Sequence, residues 1–216
     1  FKNFTCVYLR LPPFTNNSFT FTFHSFLQTK VIPVYKRKGS RSLTENYRPI
    51  SIGSAIAKVM EKMITDRLLA FLQTNHLLSD HQHGFLPSRS TATQLLTCLN
   101  DWTKLKAEKQ PCHVVYLDFK KAFDSVDHSK LATKLNSYGI QGDLLRWITA
   151  YLSNRTQSVN LLSTLSDPKP VLSGILQGSC IGPVLFLIFI NDLLDSLPDI
   201  KLAAYADDIK IYDSNP

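Results

Sequence analysis

The stretch LAAYADDIKIY, residues 202–212, places two adjacent carboxylates, Asp207 and Asp208, at the tip of an apolar hairpin. Leu202 and Ala204 alternate with their neighbours before the acids, and Ile209, Ile211 and Tyr212 follow them, a period-two pattern that predicts two strands meeting at a turn. Aspartate is a poor strand former and two side by side repel, so such a pair must be solvated, protonated or neutralised by a cation. Upstream, Asp118 closes a second apolar run, HVVYLDF at residues 113–119, which reads as a buried strand. Three carboxylates on neighbouring strand ends can hold two divalent ions roughly 3.5 to 4 Å apart, the geometry of in-line phosphoryl or nucleotidyl transfer. Asp118, Asp207 and Asp208 are therefore the candidate catalytic and metal-ligating residues. Asp208 reads as the outer ligand, because adjacent strand residues point to opposite faces. The competing reading is a hairpin turn with solvated acids.

The chain around them has 216 residues, of which 44% are hydrophobic, enough to bury a sizeable core and to exclude a disordered chain. A net charge of +7 and a pI near 9.2 suit a polyanionic partner. The charge is concentrated: residues 30–48 contain Lys30, Lys36, Arg37, Lys38, Arg41 and Arg48 against a single acid, Glu45. That segment is a phosphate-binding candidate or, failing that, a solvated basic loop. Cys6, Cys98, Cys112 and Cys180 show no paired spacing, so neither a disulfide framework nor a zinc site is suggested. His81 and His83 lack metal-ligating companions and read as loop residues. The longest apolar run, residues 183–190, is far short of the roughly 20 residues of a membrane-spanning helix, so no membrane location is expected.

Residues 1–29 stand apart, rich in Phe, Thr and Asn and with a strand-like SFTFTF, and remain unassigned. From residue 30 the pattern is mixed: a strand at 30–35, an amphipathic helix at 54–73 burying Ile56, Val59, Met60, Met63, Ile64, Leu68 and Phe71, and a helix capped by Ser90 or Thr91 burying Ala92, Leu95, Leu96, Leu99 and Trp102. Helices at 129–138 and 143–152, strands at 157–162 and 169–173, and a helix at 183–194 apolar on most faces complete the α+β order. An antiparallel sheet with helices on one face and a basic outer lobe accounts for it. No linker marks an independent second domain.

YADD, the upstream YLDFKKAFDSVDHSKL, the intervening GILQGSCIGPVLFLIFINDL and the early NYRPIS together resemble the reverse transcriptase domain of non-long-terminal-repeat (LINE-type) retrotransposons. The resemblance runs from residue 30 to the end of the chain, with four motifs in the family's order. It implies a right-hand polymerase, fingers and partial palm interleaved over 30–216, with an antiparallel palm sheet packed on helices and the thumb absent. It implies RNA-directed DNA synthesis with two Mg2+ ions, Mn2+ being a substitute, and an RNA template, a DNA primer and deoxynucleoside triphosphates as partners in an intracellular setting. The resemblance assigns Phe123, five residues past Asp118, the role of steric gate beneath the sugar; the alternative is an ordinary core aromatic. The backbone amides of Lys121 and Ala122 would face the triphosphate. Gln177 and Gly178 match the nucleotide pocket: glycine admits close backbone approach and glutamine both donates and accepts. Arg48, with Lys36 or Lys38, resembles the fingers residues that clamp the triphosphate, arginine's planar fork suiting phosphate. Gly84, Phe85 and Arg89 of HGFLPSRS resemble the template-side motif. Asp124 is set aside as a helix cap.

Two other readings share these residues: the polymerase of a group II intron maturase, disfavoured by the run after Gln177, and a catalytically incompetent nucleic-acid-binding remnant, suggested by a chain that ends before any primer grip.

Overall fold

The computed structural model describes residues 27–196 and 200–214. The SFTFTF segment lies outside them, while Gln28 and Thr29, grouped with the unassigned segment from sequence, belong to the first strand. In chain order the described elements are β1 (Gln28–Tyr35), β2 (Tyr47–Ile52), α1 (Ala55–Thr74), α2 (Thr91–Ala107), β3 (His113–Leu117), α3 (His128–Ser137), α4 (Gly142–Leu152), β4 (Thr156–Leu161), β5 (Thr164–Leu165), β6 (Lys169–Pro170), α5 (Gly182–Asp195), β7 (Lys201–Tyr205) and β8 (Asp208–Asp213). They form two compact units through which the chain passes twice. One comprises the described residues up to Leu68 together with Phe123–Gly182, and the other comprises Leu69–Ala122 and the described residues from Pro183 onward.

The first unit carries a sheet in the order β2-β1-β4-β5, with β6 also on β4. β1 and β2 are antiparallel, and β1 and β4 are parallel, from Gln28↔Thr156 to Val31↔Val159. β2 is the NYRPIS motif, which shows no strand signal because Arg48 and Pro49 break its alternation. Pro49 is tolerated because it stands opposite Pro33, a rung at which neither residue has an N–H to leave unpaired. α3 starts at Asp127, whose carboxylate accepts the Lys130 N–H at 2.9 Å. The expected cap, Asp124, lies before it in a turn. α3 buries Leu131 and Leu135, and α4 buries Leu144, Ile148, Tyr151 and Leu152.

α1 is rotated from the expected face. Ala57, Glu61, Ile64, Leu68 and Leu72 point inward, whereas Ile56 is 70% exposed and Val59 and Met63 are exposed with it. Glu61 belongs to the buried face, where its carboxylate finds partners, and the Ile56–Val59–Met63 stripe faces out.

The second unit holds the antiparallel sheet β3-β8-β7. α2 packs on it through Cys98, which forms a core cluster with Ala203 and Tyr212, flanked by Trp102 and Val114. Trp102 meets Tyr212 edge-on, with ring centroids 5.8 Å apart. The Ser90 cap is observed as a reciprocal capping box with Thr93. The buried face of α2, however, is Gln94 and Cys98, and Leu95, Leu96 and Leu99 are exposed. Burying Gln94 costs little because its amide donates to the Ala203 carbonyl at 3.0 Å and its oxygen accepts from Lys210 Nζ at 2.7 Å. β3 also differs from the buried strand expected. Among the described residues it pairs only with β8, at the edge of the sheet, and Val115, Tyr116 and Leu117 are exposed. α5 is buried on nearly all faces through Val184, Leu185, Phe186, Leu187, Ile188, Ile190 and Leu194. Among the described residues no helix is long and apolar enough to cross a membrane.

Candidate active site

The carboxylates gather at one end of the β3-β8-β7 sheet. Leu117, Ile209 and Ala204 share the last common rung, Asp118 is the next residue of the β3 segment, and Asp208 pairs with Tyr205 one rung on. The β7–β8 connection is the two-residue turn Ala206–Asp207, with Ala206 in the left-handed region at φ 56°. A non-glycine residue there stores backbone strain, which persists only where its surroundings enforce it. Asp207 is half-buried. Burial holds its carboxyl above the usual carboxylate range, and the charges of Asp208 and Asp118 add to the shift. Asp118 and Asp208 are exposed. Among the described residues no three His, Cys, Asp or Glu side chains are arranged to hold a metal ion. The donors nonetheless fit a hard divalent cation in kind, all being carboxylate oxygens, and their mutual repulsion at Asp207 is what such a cation relieves.

The enforcement comes from Gln82, a residue that sequence reasoning passed over as loop. Its side chain is 2% exposed. Its Oε1 accepts both the Ala206 N–H at 2.8 Å and the Gly84 N–H at 2.7 Å, and its Nε2 donates to the Ala206 carbonyl at 3.3 Å. The flanking backbone is tied to β7, His83 N–H donating to the Ala204 carbonyl and Ala204 N–H to the His81 carbonyl. Gly84 lies directly against the turn: a Cβ on it would fall 2.3 Å from the Ala206 nitrogen. His81 and His83 are engaged by the Leu202 carbonyl and the Thr93 hydroxyl. Burial and the Arg89 charge hold the His83 imidazole below its usual range. Arg89 donates to the Asp80 and Gln82 carbonyls and to the Asp80 carboxylate. Of the expected template residues, then, Gly84 and Arg89 shape the loop that supports the Ala206–Asp207 turn, while Phe85 is exposed with φ 58°.

In the first unit, two loops converge. Phe123 accepts the Ile175 N–H on its carbonyl at 2.8 Å, and Gly174, at φ +88°, passes so near Asp124 that a Cβ would lie 2.7 Å from its backbone. Gln177 donates from Nε2 to the Asp124 carboxylate at 3.0 Å, giving Asp124 a partner in place of the expected cap role. The Gln177 carbonyl accepts the Ser51 N–H at 2.8 Å, and Gly178, exposed at φ +101°, is pressed on the Ser51 carbonyl. The Gln177–Gly178 turn is thus bound to β2, the strand that carries exposed Arg48. Lys36 and Lys38 are exposed beyond β1, Lys36 Nζ donating to the Glu45 carbonyl. In the second unit, Lys121 is exposed with φ 54° and Ala122 is buried.

Residues 35–216 match the family model described as reverse transcriptase (RNA-dependent DNA polymerase). This chain belongs to the reverse transcriptase family. It is similar to a probable RNA-directed DNA polymerase from transposon BS of Drosophila melanogaster, at 31% identity over 86% of this chain and 21% of that protein. It is also similar to the RNA-directed DNA polymerase from mobile element jockey of the same species, at 29% identity over 84% and 20%. A retrovirus-related Pol polyprotein from the type-1 retrotransposable element R2 of Popillia japonica is 27% identical over 88% of this chain and 27% of its own length. The chain therefore spans about a fifth to a quarter of the curated relatives it matches, and their names fall on the LINE-type retrotransposon side of the choice against an intron maturase. Telomerase from Candida tropicalis in complex with a fragment of telomeric RNA shares the fold at a TM-score of 0.66 and 15% identity, covering 88% of this chain and 36% of that one. The architecture is accordingly the fingers and palm of a reverse transcriptase, and a general dependence on divalent metal goes with the family.

Proposed function

We propose that the chain is the fingers-and-palm part of a LINE-type reverse transcriptase that copies an RNA template into DNA from a DNA primer, using deoxynucleoside triphosphates and two Mg2+ ions. The unit bearing β1, β2 and β4 is the fingers, and the unit bearing β3, β7 and β8 is the palm. The observation that carries this reading is that Asp118, Asp207 and Asp208 lie at one end of the β3-β8-β7 sheet, Asp207 on a strained turn held by Gln82. Bound metal would supply charge neutralisation for the attacking and leaving oxygens. The chain's own residues hold and orient. Asp118 and Asp207 present carboxylate oxygens, and Asp208 is the outer donor. Gln177 and Gly178 offer amide and open backbone to the nucleotide, and Phe123 limits the sugar. Lys121 and Ala122 present backbone amides, Arg48, Lys36 and Lys38 attract the triphosphate, and the loop that carries Gly84, Phe85 and Arg89 borders the template, Gly84 and Arg89 shaping it from within.

The test is primer extension on an RNA template by this chain fused to the downstream segment of a relative. Asp207→Asn should reduce incorporation by at least about 1000-fold, since a metal clamp supplies several kcal/mol and each 1.4 is about tenfold. Equal incorporation by the Asn variant would refute the assignment.

A further inference from the structure

The rotation of α1 brings Glu61, 5% exposed, against the turn that carries Gln177 and Gly178. One carboxylate oxygen accepts the Tyr151 hydroxyl at 2.8 Å, and the other accepts the Cys180 N–H at 2.7 Å. Arg155, 3% exposed, sets its guanidinium 4.6 Å from the centre of the Tyr151 ring and donates Nη1 to the Tyr151 carbonyl at 2.8 Å, while its buried Nε has no hydrogen-bond partner. These three side chains border a small cavity together with Ser51, Gly178 and Ser179.

The 176–180 turn is therefore fixed from two sides. β2 holds it through Ser51 N–H to the Gln177 carbonyl, and α1 holds it through Glu61 to the Cys180 N–H. Within the turn, the Ser179 hydroxyl donates to the Leu176 carbonyl and accepts the Gly182 N–H. Stability alone does not call for a carboxylate here, because well-packed apolar residues often replace a buried ionic cluster at no loss. What an apolar residue cannot do is accept from a backbone N–H and a phenol at once.

We propose that Glu61, supported by Tyr151 and Arg155, is a positioning residue that sets the 176–180 turn, and through it Gln177 and Gly178, for binding a deoxynucleoside triphosphate. The inference rests on the reading of Gln177 and Gly178 as nucleotide-pocket residues.

The experiment is a titration of the full chain, in Mg2+, with a fluorescent deoxynucleoside triphosphate, at a temperature where melts show each variant folded. Glu61→Leu should weaken binding about tenfold, near the lower limit for losing a hydrogen bond to a charged group. Glu61→Gln should stay within about threefold of wild type, because its oxygen can accept from Cys180 while its amide donates to a reoriented Tyr151 hydroxyl. The double variant Glu61→Leu, Gln177→Ala should bind no worse than the weaker single variant, since both act through one turn. If Glu61→Leu does not fold, Tyr151→Phe, which removes one of the two groups orienting the carboxylate, should weaken binding about threefold. Wild-type affinity in folded Glu61→Leu, in folded Tyr151→Phe where that variant takes its place, or simple additivity with Gln177→Ala, overturns the proposal while leaving the pocket reading intact. An unchanged Kd in Gln177→Ala alone, or no binding by the wild type, overturns the pocket reading and this inference with it.

Discussion

Gly84→Ala separates a residue that shapes the proposed catalytic turn from one that touches template. The φ of Gly84 lies outside the left-handed region, so the backbone there accepts alanine, and only space forbids it. The new Cβ would lie 2.3 Å from the Ala206 nitrogen, 3.0 Å from its Cα and 3.0 Å from Gln82 Oε1, where ordinary contact begins at 3.4 Å. A shift on the order of 1 Å is needed, and the closest atoms are backbone of a turn already held at positive φ, so no flexible side-chain end absorbs it. Overpacking of this kind costs about 1 to 3 kcal/mol. For a chain of this length that lowers Tm by about 2 to 12 °C. Urea unfolding at unchanged m-value measures the loss directly. Because the moved residue precedes Asp207, turnover should also fall, by about 100-fold for a displacement near 1 Å. A template-contact role predicts something else: weaker template binding, unaltered stability, and normal turnover at saturating template. A stability change within about 0.5 kcal/mol, the ordinary range for surface substitutions, would refute the packing argument.

Asp207→Asn should remove a pH dependence of stability in the absence of divalent cation. The folded pKa of Asp207 is raised, so the native state binds its proton more tightly than the unfolded chain. Stability therefore falls as pH rises from the ordinary carboxylate pKa through the raised folded value, and is level above it. The Asn variant should gain on wild type across that acidic window and remain the more stable at neutral pH, and parallel stability–pH curves would contradict this. Phe123→Ala, tested in the fused polymerase with matched ribo- and deoxyribonucleotides, should lower sugar discrimination by about 5-fold to 150-fold, the effect of about 1 to 3 kcal/mol of steric exclusion. Unchanged discrimination together with a loss of about 3 to 5 kcal/mol of stability would make Phe123 a core residue.

Much of the palm was legible because its signals are local. The alternation of 202–212, Asp118 after HVVYL, and the Ser90 cap each depend on neighbours in sequence, and each is found where the pattern places it. The fingers sheet was legible only in parts. β1 and β4 read as strands, but their parallel pairing joins Gln28 to Thr156, a juxtaposition no local pattern encodes, and β2 hides behind Arg48 and Pro49. The buried faces of α1 and α2 were legible only in part, with Ile64, Leu68 and Trp102 inward as the spacing predicts, because counting apolar residues at helical spacing assumes that polar ones face water. Glu61 and Gln94 violate that assumption, and on each helix an apolar stripe faces solvent.

What the misread positions share also explains their chemical type. Turns and strand ends leave backbone groups that no ladder satisfies, and a buried side chain can satisfy them only if its polarity is the complement of theirs. At the Ala206 turn both an N–H and a carbonyl are open, so the residue must accept and donate at once. Gln82 does both, and a carboxylate in its place would leave the carbonyl facing an acceptor. Gln94 likewise donates to the Ala203 carbonyl and accepts from Lys210. Against the 176–180 turn the open groups are the Cys180 N–H and the Tyr151 hydroxyl, each able to donate, and the residue that meets them is the acceptor-only Glu61. The amide at Gln82 thus follows from the open N–H and carbonyl of Ala206, and the acceptor at Glu61 from the open Cys180 N–H, which ties these two inward polar residues to the proposed catalytic and nucleotide-binding turns, whereas Gln94 serves the edge of β7 and Lys210.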